Sequence, residues 1–111
     1  MSTVLIVDDD RTLAERIRSF LPDPAGAVIH TDIALGVPQG SWRMAIVDLH
    51  LGSGNTGLAV IARLRQRQPS LRIVAMTGMP DAGFYLELAR RAGADALLRK
   101  PFDAAALAAL L

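Results

Sequence analysis

Five short apolar runs that do not alternate with polar residues divide this chain, and a stretch of helical period or a loop-like segment follows each of them. The runs are Val4–Val7, Ala27–His30, Ala45–Val47, Ile73–Met76 and, more weakly, Ala96–Leu98. A strand with one wet face alternates apolar and polar residues. A run without alternation is covered on both faces, which is the mark of a parallel sheet.

Between the runs, "DRTLAERIRSFL" sets Leu13, Ile17 and Leu21 on one helical face, with Asp10 as N-cap and Pro22 as the stop. "TGLAVIARLRQRQ" groups Leu58, Ile61 and Leu64, with Thr56 as cap, Pro69 as the end and Arg63, Arg65 and Arg67 facing solvent. "DAGFYLELARRAG" starts after Pro80 and stops at Gly93, a C′ glycine. "DAAALAALL" starts from Asp103, a further N-cap. The interval Thr31–Arg43 contains two glycines and a proline, and has room only for a short helical turn at Ile33–Leu35 or an irregular crossover.

This alternation predicts a doubly wound α/β domain with right-handed crossovers and helices on both faces. One domain over residues 1–111, with five parallel strands in the flavodoxin-like order 2-1-3-4-5 and a shortened second helix, fits the length. Ligands of such sheets bind at the carboxyl ends of the strands. The residues there are therefore the ones to read for chemistry.

Those ends are polar in a regular way. The first run leads into Asp8 and Asp9, the third into Asp48, the fourth into Thr77, and the last is followed by Lys100. On one sheet edge, three carboxylates, a hydroxyl and an ammonium would share a shallow pocket. Clustered carboxylates repel unless a cation joins them, and Mg²⁺ takes a few carboxylates while keeping several waters. A remaining carboxylate oxygen can act as a nucleophile toward phosphorus. A cation and a lysine can offset charge on the phosphoryl oxygens. The residues alone thus support an aspartyl-phosphate site.

Totals exclude several other classes. The chain has no cysteine, which removes disulfides, thiolate zinc sites and cysteine nucleophiles. A formal net charge of +1 gives no electrostatic case for nucleic acid or membrane. No apolar run approaches the roughly 20 residues of a membrane span, and no signal-peptide pattern opens the chain. A cytoplasmic protein is expected.

In order and spacing, "VLIVDDD", "AIVDLHL", "IVAMTG" and "GADALLRKPF" resemble the receiver domain of two-component response regulators, over nearly the whole chain. The resemblance implies a CheY-like fold, here as a stand-alone domain. It implies Asp48 as the phosphate acceptor, with Asp9 and Asp48 as direct Mg²⁺ ligands and Asp8 as a ligand through water. His50 would add its backbone carbonyl, Thr77 would be a switch hydroxyl, and Lys100 would pair with a phosphoryl oxygen. The Lys100–Pro101 peptide bond would be cis. The implied partners are a histidine kinase or phosphotransfer protein and a downstream protein target. Contacts would form on the helix before the last strand, the last strand and the last helix, where Phe84 or Tyr85 could also serve a homodimer.

Two departures stand out. Leu97 occupies a position that is often aromatic in the family, which puts the usual two-residue switch in doubt, and Gly52 stands where a proline often follows the acceptor strand. His50 and Met79 are candidates for tuning phosphoryl lifetime. His30 and Trp42 read as packing residues, and "GSGNTG" lacks the Lys–Ser/Thr pair of a phosphate loop. The competing readings are an Mg²⁺-dependent phosphohydrolase and a flavodoxin-like cofactor binder. The first would want an acid where His50 stands; the second would want a phosphate-friendly loop where Asp8–Asp10 stand.

Overall fold

The computed structural model describes residues 3–31, 37, 39–51 and 57–111. Strands β1 (Val4–Val7), β2 (Ala27–His30), β3 (Met44–Asp48), β4 (Arg72–Thr77) and β5 (Ala96–Arg99) form one sheet in the order β2-β1-β3-β4-β5, with every pair parallel. The expected order 2-1-3-4-5 is the observed one. β3, β4 and β5 each extend beyond the apolar run by a polar residue at one or both ends, because the sheet ladder continues past the last apolar side chain.

Helices α1 (Arg11–Ser19) and α4 (Ala104–Ala108) cover one face, and α2 (Gly57–Arg67) and α3 (Ala82–Ala92) the other. Successive strand residues serve opposite cores. Leu5, Val7, Ala45, Val47, Ile73 and Ala75 pack with Ile61, Leu64 and Ala89 of α2 and α3. Val4, Ile6, Ile46, Val74 and Met76 pack with Ala14, Ile17 and Leu107 of α1 and α4. β1 and β3 are buried throughout, which is why their sequences do not alternate.

Asp10, Asp81 and Asp103 cap α1, α3 and α4, accepting from the backbone N–H of Leu13, Phe84 and Ala106 at 3.1, 3.2 and 2.9 Å. Each such cap contributes about 1 kcal/mol. α1 stops before the expected Leu21. Phe20 and Leu21 donate to Ile17 and Arg18, a tightened last turn that suits the residue before Pro22, where the α region is disfavoured. Leu21 still joins the core. α4 is likewise shorter than "DAAALAALL", ending in a turn through Leu110 and Leu111. α3 ends at Gly93, whose φ of +122° would strain any residue with a side chain.

One expectation is corrected. Arg65 does not face solvent beside Arg63. Its Nε and Nη2 donate to Gly93 O at 3.0 and 2.7 Å, and its Nη1 to Pro69 O and Leu71 O, both at 2.7 Å. Nη2 also pairs with Asp95 Oδ2 at 3.0 Å. Asp95 Oδ2 in turn accepts Ile73 N–H at 2.9 Å. This guanidinium ties the end of α2 to the entrances of β4 and β5. Arg67 also turns back, toward Val37 O at 3.2 Å. Trp42 packs against the core and exchanges backbone hydrogen bonds with the Gln68 amide. The turn expected at Ile33–Leu35, the Thr56 cap, Gly52 and all of "GSGNTG" except its last glycine lie outside the described residues. Among the described residues, no helix is long and apolar enough to cross a membrane.

Candidate functional site

Parallel pairing brings all five strands' carboxyl ends to one edge. Val7 is level with Val47, and Val47 with Ala75, so Asp8 and Asp48 emerge side by side. Thr77 is level with Arg99, the residue before Lys100, and Lys100 N–H donates to Thr77 O at 2.7 Å. The register thus collects groups that are far apart in sequence.

Carboxylate oxygens of Asp8, Asp9 and Asp48 lie within 4.8 Å of one another. Asp8 is fully buried and Asp48 nearly so, whereas Asp9 is exposed. Lys100 reaches in between them, its Nζ donating to Asp8 Oδ2 at 3.2 Å and to Asp48 Oδ2 at 3.1 Å. The other oxygens are held by the backbone. Asp8 Oδ1 accepts Asp10 N–H at 2.9 Å, at the start of α1, and Asp48 Oδ1 accepts His50 N–H at 3.0 Å.

One lysine does not balance these acids. Burial pushes the Asp8 carboxyl above the usual carboxylate range; the Asp48 charge adds to this, and the Asp10 N–H and Lys100 pull only part of the way back. Burial alone would lower the Lys100 ammonium, but Asp48 and then Asp8 overcome it and hold it above its usual value. The donor set is all oxygen and anionic, which fits a hard divalent cation such as Mg²⁺. Asp8, Asp9 and Asp48 are the residues that could hold it.

Thr77 is fully buried at the same edge. Its Oγ1 accepts Met79 N–H at 3.1 Å and sits 2.8 Å from His50 Nε2. The His50 ring stands edge-on to Tyr85, with centroids 4.9 Å apart and planes at 84°, and Tyr85 meets Phe84 in a similar way at 5.2 Å. Phe84 is 55% exposed, while Tyr85 packs partly into the core, so the two aromatics considered for a contact surface divide. Leu97 also packs against that core. The Lys100–Pro101 bond is cis, as expected.

Two features escaped the sequence. The His50 imidazole bonds to Thr77, whereas the sequence places its ring only near Asp48. Gly57 opens α2 directly against Asp48: a Cβ there would lie 2.0 Å from Asp48 O and 2.8 Å from the Leu49 Cα. Its N–H donates to Leu49 O at 3.1 Å. The available signal was a glycine at the first position of a helical pattern, just after the acceptor loop.

A family profile described as response regulator receiver domain matches residues 4–111. The photosynthetic apparatus regulatory protein RegA of Rhodovulum sulfidophilum is 37% identical over 111 residues, a match covering 92% of this chain and 57% of RegA. This chain therefore spans little more than half of that relative. A response regulator from Burkholderia pseudomallei, solved with a phosphorylated aspartic acid, calcium ion and citrate, is 28% identical with a TM-score of 0.79, covering 100% of this chain and 66% of that one. The BeF3-activated receiver domain of DrrB, from Thermotoga maritima, superposes with a TM-score of 0.84 at 20% identity, covering 98% and 92% of the two chains, a likeness of fold alone.

Proposed function

This chain belongs to the response regulator receiver domain family of two-component signalling, and from that premise we propose that it accepts a phosphoryl group on Asp48. The observation that carries the reading is the sharing of Lys100 Nζ between Asp48 Oδ2 and buried Asp8. It marks a pocket with more negative charge than its one ammonium can offset.

In the reaction, a carboxylate oxygen of Asp48 forms a bond to phosphorus as the donor's bond to phosphorus breaks. The leaving group keeps that bond's electron pair. His50 N–H, on Asp48 Oδ1, fixes the rotation of the carboxylate and so aims it. Lys100 is close enough to exchange an Asp48 oxygen for a phosphoryl oxygen, which stabilises the charge that accumulates there. Thr77, on the neighbouring strand, supplies a hydroxyl for another phosphoryl oxygen. Asp8, Asp9, Asp48 and the His50 carbonyl would hold Mg²⁺, which when bound offsets the repulsion among carboxylates and phosphoryl oxygens.

On this reading the chain is a signalling acceptor, catalysing only its own phosphorylation and dephosphorylation. Its donor is a histidine kinase or phosphotransfer protein, and its compartment the cytoplasm. Output runs through protein contacts on α3, β5 and α4, with Phe84 exposed on α3 and Met79 exposed on the connection that leads into it.

The test is incubation with Mg²⁺ and acetyl phosphate, followed by intact-protein mass spectrometry. One added phosphoryl group is expected, absent without Mg²⁺ and absent in Asp48→Ala. An unmodified wild type, under conditions that label a control receiver, would overturn the reading. Sustained turnover of an unrelated phosphate ester would favour the phosphohydrolase instead.

A further inference from the structure

The Thr77 hydroxyl has two hydrogen-bond partners among the described residues, Met79 N–H and His50 Nε2. A hydroxyl carries one hydrogen and two acceptor lone pairs. Met79 N–H can only donate, so it takes a lone pair. Were His50 to donate as well, the hydroxyl hydrogen would be buried with no acceptor among the described residues, a condition folded proteins seldom leave standing. The hydrogen therefore belongs on the bond to His50, with Nε2 accepting.

A phosphoryl group on Asp48 would present oxygens that only accept. It would need the very hydrogen that His50 holds. We propose that His50 is a brake on activation: its imidazole engages the Thr77 hydroxyl in the resting chain, and a phosphoryl group must displace it before Thr77 can donate. His50 is thus a positioning residue that acts through Thr77. Two contacts keep it there. Its backbone N–H is bound to Asp48 Oδ1, and its ring is braced edge-on by Tyr85. Release of the ring would be felt first at Tyr85 and next at exposed Phe84. That route from the pocket to the surface does not pass through Leu97.

The inference rests on the acceptor reading of Asp48, and the experiment separates the two. Beryllofluoride with Mg²⁺ serves as the phosphoryl mimic, its affinity measured by NMR titration. His50→Ala is expected to bind it about five-fold more tightly than wild type, the worth of one net hydrogen bond. In a Thr77→Val background, the same substitution should leave affinity unchanged. The resonances of Tyr85, the single tyrosine, should move when wild type is saturated. Independently of any variant, ¹⁵N spectra of the resting wild type should show neutral His50 with the proton on Nδ1. A proton on Nε2 would overturn the brake. So would equal binding by wild type and His50→Ala, or a gain that persists in Thr77→Val. A wild type that takes up no beryllofluoride removes the acceptor reading and the brake together.

Discussion

At opposite edges of one sheet, this chain joins acids to a base in two different ways. At the edge where β4 and β5 begin, the Arg65 guanidinium has five N–H donors, and every one has an acceptor in Gly93 O, Pro69 O, Leu71 O or Asp95 Oδ2. At the edge where the strands end, Lys100 faces three carboxylates and reaches two of them. The first cluster is complete without a visitor. The second leaves Asp8 buried with its carboxyl pushed upward, a cost that an added cation can relieve. Saturated polar networks hold a fold together, and an unsaturated one held rigidly is a binding site.

The contrast can be broken by substitution. The largest expected effect is at the complete cluster. Arg65→Ala strands several carbonyls and Asp95, and should cost about 3 kcal/mol of unfolding free energy. Urea titration should give the same loss with and without Mg²⁺; a loss that Mg²⁺ repairs would erase the distinction. Next is Gly57→Ala, which forces a methyl group onto the Asp48 carbonyl and should cost about 2 kcal/mol. If its urea midpoint matched wild type, the tight seating of α2 on the acceptor would be wrong.

Asp8→Asn should act in the opposite direction, raising stability without divalent ions by about 1 kcal/mol and abolishing stabilisation by Mg²⁺. The sign follows from the raised carboxyl: its cost is absent below the unfolded value, about 3.9, and builds as pH rises through the folded one. The advantage of Asp8→Asn should therefore be full at neutral pH and fade in acid. An advantage that grew in acid would reverse the assignment. The smallest effect concerns Lys100. Its raised ammonium contributes stability that is fully present below the unfolded value, about 10.4, and is lost as pH rises through the folded one. The stability difference between wild type and Lys100→Met should hold up to pH ~10 and shrink above it. A constant gap would mean that Lys100 acts by packing alone.

Most of the site was legible because the apolar run of a buried parallel strand stops where its polar residues begin. Asp8, Asp48, Thr77 and Lys100 each mark such an end, and parallel pairing sends them all to one edge. Side-chain reach was not legible. Arg63, Arg65 and Arg67 look alike in sequence, yet Arg65 curls over the helix end because the Gly93 carbonyl, 28 residues away, faces it. His50 is exposed, and nothing in the sequence shows that β4 sets Thr77 within 2.8 Å of its ring. β1 and β2 coincide with their apolar runs, while β3, β4 and β5 run one residue past theirs, since a ladder hydrogen bond can carry Asp48 or Arg99 as readily as a valine.

The bond that closes the pocket joins Lys100 to Asp8 across 92 residues. During synthesis the acids emerge first and their lysine well after them. Until β5 has docked, the edge carries these carboxylates without the Lys100 ammonium among them. The charge balance of the pocket therefore arrives together with completion of the sheet.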